Sequence, residues 1–118
     1  MAERTTTLDV LRRARELLSE PQGWTQGTFA RDIRGRRAAS ARDAVCWCAI
    51  GALLRATDVS IRADAVAAVA ALVHHGIGIT APDSSRALVA WNDCPERTHA
   101  EVLEAFDRAI AAEEQRHG

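Results

Sequence analysis

Cys48 and His99, with Asn92 or Asp93 as a third member, are the residues of this chain whose types could do covalent chemistry. A thiol attacks as its thiolate, which forms at neutral pH only beside a helix N-terminus, a histidine or an arginine. In that arrangement His99 would take the Cys48 proton and a neighbouring carboxamide or carboxylate would orient the imidazole. The plainer use of Cys48 is packing, because free cysteine is among the most buried residue types. Metal binding is not expected. Cys46 and Cys48 are two residues apart, about 200° from each other if both lie on a helix. The CxxC and HxxxH spacings of structural zinc sites are missing from the chain. No cofactor is implied either: without a single lysine there is no phosphate-loop lysine and no Schiff-base lysine.

Binding candidates cluster around three tryptophan segments, Gly23-Trp24-Thr25-Gln26-Gly27, Cys46-Trp47-Cys48 and Trp91-Asn92-Asp93. Tryptophan brings a large apolar body and one N–H that needs a partner when buried. A groove between a hairpin and the helices bearing Trp47 and Trp91 would gather Trp47, Trp91, Asn92, Asp93, Arg31 and Asp32. Asn92 and Asp93 precede Pro95, so they also suit a helix end and a turn, with Asp93 able to pair with Arg97 or Arg31. The run Arg31, Arg34, Arg36, Arg37 and Arg42 faces only Asp32 and Asp43, an excess that could meet phosphates or an acidic partner. Phe29 is the one aromatic residue nearby and the whole chain carries a formal charge of -1, so an exposed, solvated turn is the better reading and nucleic acid the weaker.

The elements that must position these groups can be read from periodicity. Apolar residues at 8, 11, 14 and 18 predict a helix over Leu8–Leu18, opened by Thr6 and Asp9 and ended by Pro21 and Gly23. Residues 24–40 lack that period and predict a short β-hairpin, Gln26–Asp32 and Arg36–Ala39 about a turn at Gly35. Ser40 and Asp43 open a helix expected to run to about Ala56, apolar all round and therefore central and buried. A helix from about Ile61 to His75 presents Val66, Val69 and Val73 on one face and stops at Gly76 and Gly78. Thr80-Ala81-Pro82-Asp83 starts a short helix reaching Trp91 or Asn92. Thr98 with Glu101 is a capping box for the last helix, whose inner face is Val102, Leu103, Phe106, Ala109 and Ile110. Its acids, Glu101, Glu104, Asp107, Glu113 and Glu114, are expected on the wet face, with Glu104 and Arg108 paired and residues 113–118 fraying. His74-His75 complements the negative end of its own helix.

These elements predict one small globular domain over residues 1–118, mainly α with some β: about five helices around a buried central one, and one short hairpin after the first. A chain of this length can bury roughly two-thirds of its unfolded surface and needs no staple. Three cysteines and an N-terminus without an apolar core suggest reduced thiols in the cytoplasm.

In order along the chain, Trp24-Thr25-Gln26-Gly27, Ala30-Arg31-Asp32 with Gly35, Trp47-Cys48, Gly51-Ala52-Leu53, Trp91-Asn92-Asp93 and Arg97-Thr98 with Glu101-Val102-Leu103 resemble a family of short bacterial proteins. The family is frequent in actinobacteria, and the likeness covers about Leu8 to Ile110. It is known only as a domain of unknown function, so the resemblance implies a fold and no activity, cofactor or partner. The residues themselves favour a non-catalytic module that binds a protein or a small ligand. The alternatives are a thiol-dependent enzyme using Cys48 with His99, and nucleic-acid contact through the arginine hairpin. No membrane contact is expected, and monomer and homodimer both stay open.

Overall fold

A computed structural model describes residues 6–57 and 62–117. Five α-helices and one two-stranded antiparallel sheet follow the expected order: α1 (Thr7–Leu17), β1 (Ala30–Arg31), β2 (Cys46–Trp47), α2 (Ala49–Ala56), α3 (Arg62–Ala71), α4 (Ser84–Asn92) and α5 (His99–His117). The chain is mainly α with some β. Helix α1 opens as the sequence requires, with Thr6 accepting from the Asp9 N–H and Asp9 accepting from the Thr6 N–H. Its buried face, Val10, Leu11 and Ala14 with Leu18 just beyond, packs on α2, α3 and α5. Helix α2 is central: Ala49 to Leu53 and Ala56 are all buried. Phe106, Leu53, Leu72, Leu88 and Val102 complete a single interior.

The hairpin departs from expectation in its pairing. Ala30 is opposite Trp47 and Arg31 opposite Cys46, so β1 takes its full partner from residues beyond 40. Arg36–Ala39 contributes only a bridge from Arg37 to Arg31, with the Ala38 N–H donating to Ala30 O at 3.0 Å. The tip does turn at Gly35, where φ is +79°. Asp32 stiffens it by accepting from the Arg34 and Arg36 N–H groups. Beyond β2 on its other edge, Trp24 bridges Trp47 in parallel, and the Thr25 N–H donates to Trp47 O at 3.0 Å.

Helix α2 does not begin at Ser40. Ser40 donates to the Asp43 carboxylate and starts one tight turn, Ala41–Asp43, but Ala44 is extended and the chain crosses back to pair with β1. Sheet pairing overrides the local helix signal, and Cys48 becomes the N-cap of α2. The buried stripe of α3 is Ala65, Ala68 and Val69, continued by Leu72 and Val73 just beyond it; Val66 falls one residue off this stripe and is 69% exposed, against the expected face. Ile61, the expected start of that helix, lies outside the described residues.

After α3 the chain widens into a π-helical turn, Leu72–Ile77. A methyl group on Gly76 would sit 2.5 Å from Ala105 O of α5, so glycine is what permits this close crossing. Arg108 donates to Gly76 O at 2.8 Å, in place of the expected pair with Glu104. Gly78, at φ +80°, ends the element. Asp83 caps α4, which leaves Pro82 just outside the helix. The Thr98–Glu101 capping box forms as read.

Helix α5 continues to His117, and Glu113 is 2% exposed rather than on the wet face. Phe106, Ala109 and Glu113 share one helical stripe, and Arg116 reaches back to the buried carboxylate at 3.1 Å. Gly118 lies outside the described residues.

Candidate functional site

The three tryptophan segments converge on Asn92, which ends α4 and is 1% exposed. Its Oδ1 accepts from Trp24 Nε1 at 2.8 Å and from the Ala49 N–H at 2.9 Å. Its Nδ2 donates to Thr25 O at 3.1 Å and to Asp93 Oδ1 at 3.0 Å. Every donor and acceptor of the carboxamide is thereby used, and none is left to orient an imidazole. Around it, Gln26 Nε2 donates to Asn92 O and Cys94 O, and Asp93 Oδ1 accepts from the Gly27 N–H. Residues 24–27 are thus laced to residues 92–94, which lie far along the chain. Asp93 forms no ion pair with Arg97 or Arg31. Arg97 instead spans Trp91 at 4.2 Å from the ring centre, donates to Trp91 O and pairs with Glu101 at 3.3 Å.

The other nominated groups are similarly occupied. The Arg31 guanidinium donates to Thr25 Oγ1 at 2.9 Å, Gln26 O at 3.0 Å and Gly35 O at 3.1 Å, filling the loop it belongs to. Asp32 holds the hairpin tip.

His99 donates from Nε2 to Leu18 O, and its ring lies 6.4 Å from that of Trp24. Only Nδ1 remains to act as a base. Cys48 Sγ accepts from the Gly51 N–H at 3.4 Å, and no hydrogen bond joins it to His99. Burial pushes the Cys48 thiol above its ordinary pKa, and the opposing N–H groups at the start of α2 do not reverse the shift. A thiol so placed is protonated at neutral pH. Among the described residues no three His, Cys, Asp or Glu side chains gather as a group that could hold a metal ion.

The space for a ligand lies elsewhere. A groove of about 590 Å³ opens between the 28–44 loop and one face of α2. Trp47 and Phe29 line it with Leu54, alanines from the loop and two arginines, Arg37 and Arg55. Phe29 and Leu54 are 53% and 46% exposed and lie together on this one groove. On α2 the wall is Gly51, Leu54 and Arg55, the i, i+3 and i+4 positions of one face. Gly51 is also where the loop docks: a methyl group there would overlap the Phe29 carbonyl oxygen and lie 2.9 Å from its carbon. Smaller hollows of about 400 and 380 Å³ lie beside Arg13 and beside His74.

Of the residues nominated from sequence, Trp47 lines the groove, as does Arg37 of the arginine run; Trp91, Asn92, Asp93, Arg31 and Asp32 do not. Leu54 and Arg55 were missed. Their signal was an apolar-basic pair one turn beyond a glycine, on a helix otherwise uniformly apolar.

A family model matches residues 2–112, and the chain belongs to that family, DUF6197, described as a family of unknown function. No curated protein and no solved structure matches the chain. No helix among the described residues is long and apolar enough to cross a membrane.

Proposed function

We propose that this protein is a non-catalytic binding module whose site is the groove floored by Trp47. The observation that carries this reading is the concave apolar surface itself. Its volume falls in the range of small-ligand pockets, about 300–1,000 Å³. Its walls are Phe29 and Leu54, large side chains left exposed, and Trp47, which is half-buried with one part packed on the core. A rigid frame stands behind it, since β2 is paired on both edges and Gly51 fixes the loop to α2. The ligand class is a small molecule with an apolar body.

A neutral fluorescent probe, N-phenyl-1-naphthylamine, tests the reading directly. Its emission should rise on titration into the protein, and Leu54→Glu should abolish the rise while leaving the circular dichroism unchanged, because Leu54 is exposed. Equal enhancement in wild type and Leu54→Glu, or none in either, would sink the groove as a binding site. Cys48 enters this reading as a packed residue that caps α2. Alkylation of Cys48 at neutral pH faster than that of Cys46 and Cys94, which are half-buried, would revive thiol chemistry instead.

A further inference from the structure

We infer that the ligand of this groove is an amphiphilic acid: an apolar or aromatic body carrying one carboxylate, sulfonate or phosphate group. The inference rests on the groove being the binding site and goes on to name what fills it. Its basis is the charge of the walls. Arg37 and Arg55 both line the groove, both are exposed, and neither forms an ion pair among the described residues. Asp and Glu are absent from the lining.

The acids closest in sequence to the loop wall are already engaged. Asp32 accepts from two backbone N–H groups of the hairpin tip and lies 3.6 Å from Arg36, while Asp43 accepts from the Ser40 hydroxyl. Arg12 pairs with Glu114 and Arg15 with Asp107, whereas exposed Arg13, Arg34, Arg42 and Arg86 form no ion pair among the described residues either; what sets Arg37 and Arg55 apart is their shared place on the wall of an apolar groove. A chain of formal charge -1 thus places two arginines without an ion pair among the described residues at the edge of an apolar groove, although Arg55 also borders the hollow that Glu16 lines.

A guanidinium binds an oxyanion through parallel, charge-assisted N–H donors, bonds roughly twice as strong as those to a neutral acceptor. Beside an apolar wall, where water is partly excluded, that attraction is stronger than on open surface. An apolar body on Trp47, Phe29 and Leu54 with its anionic end toward Arg37 and Arg55 satisfies both halves of the site.

Two probes with one aromatic skeleton separate this inference from the reading beneath it. N-phenyl-1-naphthylamine is neutral; 8-anilinonaphthalene-1-sulfonate is the same body with a sulfonate. The sulfonate should bind about tenfold more tightly at low ionic strength, an advantage that added salt reduces. The double variant Arg37→Ala, Arg55→Ala should bring the two affinities together, while Arg86→Ala, an exposed arginine outside the groove lining, should leave them apart. Equal affinities in wild type, or a sulfonate preference that survives the double variant, would overturn the acid while leaving the groove. Failure of both probes to bind would overturn the groove and the acid together.

Discussion

The Asn92 junction and the Trp47 groove share one short segment, Cys46–Ala49, and treat their polar groups in opposite ways. At the junction the Ala49 N–H, the Trp24 indole, the Thr25 carbonyl and the Asp93 carboxylate converge on a buried carboxamide that has no capacity left. At the groove Trp47 meets aromatic and aliphatic side chains that stay open to water, with two arginines that form no ion pair among the described residues. The residues that look reactive in a sequence are holding the chain together; those that look like core are the ones exposed. A polar group needs a partner wherever it is buried, so richness in Asn, Asp, Gln and Arg marks a structural crossing as readily as an active site.

The contrast is broken most directly at Asn92. Replacing it with alanine strands the Trp24 Nε1–H and the Ala49 N–H and opens a small void. The expected loss is about 3–5 kcal/mol, since buried donors without partners cost about 1–3 kcal/mol each. Urea unfolding monitored by tryptophan fluorescence reads it. A loss below about 1 kcal/mol, the ordinary effect of a surface change, would mean that the junction tolerates its polar groups unpaired and that Asn92 is available for binding after all.

Gly51 is where the two regions touch, and Gly51→Ala sharpens the contrast. The added methyl overlaps the Phe29 carbonyl, so either the loop or α2 must move. Overpacking of that kind costs about 1–3 kcal/mol. The variant should also weaken probe binding, because Phe29 forms a groove wall. Unchanged stability with unchanged binding would show that the loop does not rest on α2 as described.

How legible each region was in the sequence follows the same division. Local rules with local partners read correctly: the Thr6–Asp9 cap and the Thr98–Glu101 box each join residues three apart, and Gly78 ends its element by donating to Val73 O five residues back. What failed was decided by distant partners. Ser40 and Asp43 do make a turn, but pairing of Cys46–Trp47 with Ala30–Arg31 pulls the chain out of helix until Cys48. Glu113 looked like surface because its charge outweighed its place on the Phe106 stripe. At the junction the residue types were noticed, whereas their saturation depends on which backbone groups arrive from residues 24–27. The groove was nearly invisible, because an exposed leucine has no sequence mark that separates it from a buried one.

Cys48 offers a subtler probe of the same boundary. Its folded pKa is raised by burial, so the folded state retains the thiol proton more strongly than the unfolded chain does. Stability should therefore be complete below the ordinary thiol range, about 8.5, and decline as pH rises through it. The variant Cys48→Ala should lack this component of the alkaline decline while losing some packing at every pH. Parallel curves for the two proteins between pH 7 and pH 10 would place the thiol in contact with water and weaken the case against its reactivity.

The smallest effect is expected at Glu101, where α5 begins beside the junction. Its carboxylate accepts from the Thr98 N–H and hydroxyl and pairs with Arg97, the residue lying over Trp91. The Thr98 backbone bond, above all, holds its pKa below the usual glutamate value. For a carboxylate lowered in this way the stabilisation is full above the unfolded pKa, about 4.3, and fades as pH falls through the lower folded value. Glu101→Gln keeps the reciprocal cap, because glutamine also accepts the Thr98 N–H, and removes only the charge. Unfolding midpoints of the two proteins should then converge in acid and separate slightly in favour of wild type toward neutral pH, with salt narrowing the gap. A gap independent of pH would assign the effect to side-chain packing. The Arg97 link from Glu101 to Trp91 would then add nothing electrostatic to the junction.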